Sequence, residues 1–343
     1  MGPLSGHHHE TYVISLPGPV PGDGRTRWKV RETRPGVLWF DRRCLASEEE
    51  LLKALAGRVR GIPEVIDVGG VELQRFVEGR TLGSLHRQGR PIPESLRRQI
   101  MATFADLLRV TPWTVRVERR CEAHDRPQDG DSAGFLERLV AFSQDRVYRG
   151  NLRAFEELFW SLGVDEDSFR HLRKHVSGMA ERPFCLLHAD LHRENLVVDR
   201  QERLWAIDWE LAAFGDPLYD LATHLYLTRY PADQERRTTQ EWCSLVEDVR
   251  PGASRSWEKD LLRILDFKRA QSVFTDIIRL GLSMGEDASR SPLILARSAR
   301  RVHELLTAAA APLGLAEIPS VRVIASAYLR WSRFHRDDRR LAA

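Results

Sequence analysis

The 343-residue chain has only four cysteines, Cys44, Cys121, Cys185 and Cys243, and no two form a C-x-x-C pair. Thiols scattered in this way exclude a disulfide framework and read as reduced cysteines of a cytosolic protein. No basic segment followed by an apolar run opens the chain, so no secretory leader is expected. No apolar stretch approaches the length that spans a bilayer. Charge of one sign is not in excess either: 52 Lys and Arg stand against 49 Asp and Glu, mixed along the length, for a net charge of +3. Nucleic-acid proteins gather their basic residues on one stripe, and none is gathered here. Asp337-Asp338-Arg339-Arg340 reads as a solvated tail, and His7-His8-His9 as a terminal oddity too short for a tag. A cytoplasmic protein with no nucleic-acid and no membrane partner is expected. Internal repeats and low-complexity segments are absent as well.

What is present is an ordinary globular composition, 42% hydrophobic and 29% charged. The length exceeds what one core usually serves, so two lobes are expected. The first eighty or so residues read as strands and turns around one helix. Strands are expected at Thr11–Leu16, Arg27–Glu32 and Val37–Phe40, with turns at Pro17–Gly24 and Arg34-Pro35-Gly36. Ser47-Glu48-Glu49-Glu50 opens a helix through a capping box, with Leu51, Leu52 and Leu55 as its apolar stripe. Two short strands follow, Val65–Val68 and Val71–Val77, and Gly79 marks a boundary. Beyond it helices dominate, notably from Pro93, over Phe135–Phe142, Leu152–Leu162 and Phe169–Met179, and from Trp257 to Leu282. Only the apolar runs Phe184–Leu187 and Leu204–Ile207 interrupt them. The fold class is α+β, a β-rich lobe over residues 1–79 and a mainly helical lobe over 80–343, with a cleft expected between them.

The most specific pattern is H-x-D-x-x-x-x-N at His188, Asp190 and Asn195, followed by Ile207-Asp208-Trp209. Phosphoryl transfer needs a carboxylate to orient the attacking hydroxyl and accept its proton, and oxygen ligands to hold Mg²⁺ against nucleotide phosphates. Asp190 suits the first task; Asn195 and Asp208 can supply hard oxygens for the second. If the flanking apolar runs pair as a hairpin, all three residues meet at one end. Asp and Asn are also common in plain turns, but an apolar lead-in, an Asp, an Asn and a second apolar run ending in Asp are far more specific than any one of them. A rival reading takes His188, Asp190 and His192 as a metal site, although no further His–Asp cluster completes it. His192 better suits shaping the loop or contacting substrate.

This segment, with Glu210 and with Gly215-Asp216-Pro217-Leu218-Tyr219-Asp220-Leu221-Ala222, resembles the aminoglycoside phosphotransferase and choline kinase-like family of small-molecule kinases. The resemblance is sharp from about Phe184 to His224. It implies a bilobal protein-kinase-like fold, ATP and Mg²⁺ as cofactors, Asp190 as catalytic base, Asn195 and Asp208 as Mg²⁺ ligands, and Asp220 as a buried supporting acid. In the first lobe it implies nucleotide binding at a hinge around Gln74 to Phe76, with Glu48 pairing a phosphate-binding lysine. The strand expected to carry that lysine, Val37–Phe40 with Asp41-Arg42-Arg43, contains none. Arg42 or Arg43 then stands in, or Lys29 reaches over from the neighbouring strand, and arginine is not lysine's equivalent there. Glu210, His192 and Asp266 are substrate candidates, acids suiting an amino-sugar or polyamine. The expected activity is phosphorylation of a small molecule's hydroxyl, first an aminoglycoside or other antibiotic, with resistance as the outcome. Choline, homoserine or a sugar is the metabolic alternative, and a nucleotide-binding pseudokinase the non-catalytic one. A protein kinase is disfavoured, since no A-P-E stretch follows Asp208.

Overall fold

The computed structural model describes the chain apart from residues 1–3, 6–8, 17–25, 34–37, 288–291 and 342–343. The turns expected at Pro17–Gly24 and Arg34–Gly36, and His7 and His8, lie outside the described residues. An antiparallel sheet opens the chain, with strands β1 (Leu4–Ser5), β2 (His9–Leu16), β3 (Thr26–Thr33), β4 (Val65–Val68) and β5 (Val71–Arg75) in the order β1-β2-β3-β5-β4. Helix α1 (Glu48–Leu55) lies between β3 and β4 in sequence; Ser47 caps it by accepting from the Glu50 N–H at 3.1 Å, and Leu51, Leu52 and Leu55 are fully buried. The segment Leu38–Phe40 is not a strand. The two-residue β1, too short to leave a periodic signal, makes Thr26–Thr33 the third strand in chain order.

After β6 (Arg80–Thr81) come α2 (Leu82–Leu85) and α3 (Glu94–Leu108), whose apolar stripe Leu96, Ile100, Phe104, Leu107 and Leu108 is buried. Strand β7 (Cys185–Leu187) and the hairpin β8 (Leu196–Val198) and β9 (Leu204–Ala206) then lead to β10 (Ala213–Gly215). The expected pairing of the two apolar runs is corrected: β7 pairs with β10, while β9 pairs with β8, which in turn meets β6. The reason is local. Asp199 accepts from the N–H groups of Gln201 and Arg203, both at 2.9 Å, and closes a tight turn that gives β9 a partner immediately upstream. Helices α7 (Pro217–Thr228) and α8 (Ala232–Val249) follow, and α8 packs on α3.

The chain forms two compact units, one of residues 1–38, 43–132 and 181–257, the other of residues 39–42, 133–180 and 258–343. The boundary expected at Gly79 therefore falls inside the first unit. The second unit is helical, with the long helix Trp257–Asp287 running through it and the helices Pro292–Leu313 and Val321–Leu341 behind. Its core is aromatic: Phe274 stacks on Phe169 at 4.5 Å between ring centres and meets Tyr148 and Phe159, while Phe155 stacks on Trp331. Phe267 and Trp242 are buried, whereas Trp257 is half-buried. Among the described residues no helix is long and apolar enough to cross a membrane.

Candidate active site

The segment after β7 is held from beneath by backbone contacts. Asp220, buried on α7, accepts from the N–H of His188 at 2.9 Å and of Ala189 at 2.7 Å. Helix α7 is itself fixed at its start, where Asp216 caps the Leu218 N–H at 2.9 Å and receives the wholly buried Arg182 guanidinium at 2.7 Å. His224 is buried and its pKa is pushed down to about 4 by that burial. The ring is therefore neutral, and its Nδ1–H donates to the Leu191 carbonyl at 2.8 Å while Tyr230 OH meets Nε2. Arg193, also buried, donates to the carbonyls of Thr228, His86 and Arg90. His188 is fully buried against Trp209, with Nε2 3.1 Å from the Ile207 carbonyl. The loop is thus anchored through its backbone at His188, Ala189 and Leu191 and through the Arg193 side chain, without recourse to the side chains of Asp190 and Asn195.

Those two side chains meet. Asn195 Nδ2 donates to Asp190 Oδ2 at 2.8 Å and to the Asp190 carbonyl at 2.9 Å. The Ile207 N–H donates to the Asn195 carbonyl at 2.9 Å, which brings Asp208 in beside the pair. His192 Nε2 lies 3.4 Å from Asp190 Oδ2; burial opposes its charge, but Asp190 outweighs that and raises its pKa. Ala189 and Asp208 both have left-handed backbones, with φ of 63° and 68°. A Cβ is strained there. Ala189→Gly should therefore stabilise the protein by about 0.5–1 kcal/mol, read as a higher denaturant midpoint; an unchanged or lower midpoint contradicts the strain.

Above the loop, β3 and α1 supply the charges. Lys29 and Arg31 are two apart on β3 and share one face of the sheet. Lys29, opposite Gln74 in the register, is buried, and its ammonium makes no hydrogen bond or ion pair with a described residue. Burial first, and then Arg31, push its pKa down to about 8 against the pull of Glu48 and Asp208. Arg31 bonds Glu48 Oε2 and reaches Asp208 Oδ1 at 3.3 Å. Burial works to raise the Asp208 pKa, but the cations Arg31 and Lys29 hold it below the ordinary range. A cavity of about 200 Å³ opens beside Arg31, lined also by Arg43, Arg120, Ser47, Glu48 and Glu210.

The donor set suits a hard divalent cation. The Asn195 amide nitrogen is committed to Asp190, which leaves its oxygen, and Asp208 bonds Arg31 through one carboxylate oxygen, which leaves the other. These are the neutral and anionic oxygens that Mg²⁺ takes. The rival metal site at His188, Asp190 and His192 does not form, because the His188 ring is engaged with backbone groups. Among the described residues no group of three or more His, Cys, Asp or Glu is disposed to hold a metal.

Fold and site together define a phosphotransferase. The family described as "Phosphotransferase enzyme family" matches residues 4–253, and the chain belongs to it. A protein of Ralstonia eutropha JMP134 provisionally assigned as an aminoglycoside phosphotransferase is similar in structure at 16% identity, with a TM-score of 0.54 over 96% of this chain and 94% of that one. A choline/ethanolamine kinase family protein of Mesorhizobium loti has a TM-score of 0.45 at 16% identity, over 95% of this chain and 91% of the other. The macrolide 2'-phosphotransferase of Brachybacterium faecium has a TM-score of 0.46 at 16% identity, over 90% and 93%. No curated protein matches by sequence. The fold is the mixed α+β, kinase-like one that the motif implied.

The structure brings Asp190, Asn195, Asp208, Glu48 and Gln74 into one region, joined by Lys29 and Arg31. Gln74 is buried and donates to Glu48 Oε1 at 3.0 Å. Phe76 is half-buried beneath the Arg27 guanidinium, and its N–H donates to the Arg27 carbonyl at 2.9 Å. Glu210 is bound to Arg43 at 2.8 Å, and its pKa is raised by burial and then by Asp208. Arg42 belongs to the second unit, next to Asp41, which receives Gln271 at 2.8 Å. Asp266 also lies in the second unit, paired with His175 at 2.8 Å and with Arg269. Sequence reasoning passed over Arg31. Two basic residues two apart on a strand were the available signal, since such residues share a face.

Proposed function

We propose that the protein transfers the γ-phosphoryl group of ATP to a hydroxyl of a small molecule, with Asp190 as catalytic base and Asn195 and Asp208 as Mg²⁺ ligands. One observation carries this reading: a half-buried carboxylate oriented by an asparagine amide, beside a second carboxylate that retains an oxygen for a cation. Asp190 orients the acceptor hydroxyl and takes its proton as that oxygen bonds to the γ-phosphorus and the bond to ADP breaks. Bound Mg²⁺ would neutralise the charge on the phosphate oxygens. Lys29 replaces Arg42 as the phosphate-binding cation. Its ammonium has three donors and, among the described residues, no hydrogen bond or ion pair, so it is available to an anionic ligand. On this reading Lys29 takes the place of the lysine that Val37–Phe40 lacks, which weighs against a pseudokinase.

For the acceptor, the family and the Ralstonia protein support an aminoglycoside or related antibiotic, with resistance as the outcome. Four scattered cysteines with no C-x-x-C pair support a reducing, cytoplasmic setting. The test is incubation with ATP, Mg²⁺ and a panel of aminoglycosides, macrolides, choline and amino alcohols, read as ADP together with a phosphorylated product. Nucleotide binding without product across that panel counts against the transfer.

Lys29 gives this reading a pH signature. Its folded pKa, about 8, lies below the ordinary 10.5, so the ammonium is intact below pH 8 and lost above it. Phosphate needs the ammonium, so ADP affinity should fall as pH rises through about 8, with proton uptake on binding above it. Calorimetry in buffers of differing ionisation enthalpy checks this, and Lys29→Met should abolish both effects. An affinity independent of pH in the unsubstituted protein contradicts it.

A further inference from the structure

Glu48 is satisfied without Lys29. Its Oε2 receives Arg31, and its Oε1 receives the Gln74 amide at 3.0 Å and the Trp209 N–H at 3.2 Å. Arg31 extends past Glu48 to Asp208 Oδ1 at 3.3 Å. A guanidinium is a planar fork with five donors and can serve two carboxylates together; an ammonium is a point charge on a flexible stem. One face of β3 therefore carries two cations, Arg31 bound to Glu48 and Asp208, and Lys29 with no hydrogen bond or ion pair from its ammonium to a described residue.

The structure assigns Arg31 as a positioning residue that ties α1 to the Asp208–Trp209 segment, so that Lys29 is left whole for the nucleotide phosphates. The assignment rests on the phosphotransfer reading above. Three elements meet at the tie: β3 through Arg31, α1 through Glu48, and the chain after β9 through Asp208 and the Trp209 N–H. Each bond is made by the chain's own groups, so the tie exists before any ligand arrives. Its second effect is on Asp208, whose left-handed backbone, φ 68°, persists only where surrounding contacts over-determine it. Arg31 supplies the side-chain contact and Glu48 the contact to the next residue's N–H. Removing Arg31 loosens the register between α1 and the metal ligand; removing Lys29 leaves that register intact and weakens phosphate binding.

Amide hydrogen exchange on the ligand-free protein reads the tie directly, beside Mg²⁺-ADP binding and turnover. Arg31→Met should lower protection of the Trp209 amide and of the α1 amides about tenfold or more, and Lys29→Met should leave them within about twofold. In binding the order reverses: Lys29→Met weakens Mg²⁺-ADP about tenfold, Arg31→Met by less than about threefold, while kcat of Arg31→Met falls about tenfold or more. Arg31→Lys keeps the charge without the fork; it guards against misfolding of the methionine variant and should not restore Trp209 protection. Unchanged protection in both Arg31 variants overturns the assignment, as does a loss of ADP affinity matching that of Lys29→Met. An unsubstituted protein that binds no Mg²⁺-ADP overturns the nucleotide reading instead, and exchange in the ligand-free protein still decides whether Arg31 makes the tie.

Discussion

Asp190→Ala should slow phosphoryl transfer by about 10²- to 10⁴-fold, the usual worth of a positioned general base, while Mg²⁺-ADP affinity stays within about threefold. The split follows from the contacts. Among the described residues the Asp190 carboxylate is engaged by the Asn195 amide and His192 alone, at the end of a loop whose backbone is anchored independently. Its removal leaves the Asn195 amide nitrogen bonded to the residue-190 carbonyl at 2.9 Å and breaks no anchor. Steady-state kinetics with calorimetry on the same samples checks this. A rate within about threefold of the original removes Asp190 from the chemistry.

The second large effect is on stability. Asp220→Ala strips the acceptor from two N–H groups, those of His188 and Ala189, beneath a fully buried histidine. A buried donor left unsatisfied costs about 1–3 kcal/mol, so the pair costs about 2–6 kcal/mol, and Asp190 loses its placement together with the loop. The expected outcome is a denaturant midpoint well below that of Asp190→Ala, with activity lost as well. Asp220→Ala with an unchanged midpoint would show that the loop is held elsewhere, by Arg193 and His224 alone.

The two substitutions mark what was legible in the sequence. The expectation for Asp190, Asn195 and Asp208 rests on fixed spacing within one local segment, and the fold brings the three into one region. Glu48 followed from a helix start that Ser47 caps as expected. The pairing partners of β7 and β9 were not legible. Three-residue strands carry no periodic signal, and only the Asp199 turn shows that β9 folds back on β8. With β1 only two residues long, counting strands from Thr11 places the third at Val37–Phe40, which puts Arg42 or Arg43 forward for phosphate and leaves Lys29 as the alternative on a neighbouring strand. The ties of Arg31 to Glu48 and Asp208 join residues 17 and 177 positions apart, and no local pattern encodes them. Asp266, an acid on an amphipathic helix, looked open to a cationic substrate, but it is paired with His175 and Arg269.

The central claim is that the γ-phosphoryl group reaches a small-molecule hydroxyl through Asp190. Its most direct measurement follows the label of γ-³²P-ATP incubated with Mg²⁺, the protein and the acceptor panel. The account predicts label in an acceptor product heavier by one phosphate, one ADP formed per product, and neither with Asp190→Ala. Label found only in ATP and inorganic phosphate across the panel, or transfer that survives Asp190→Ala, would contradict it.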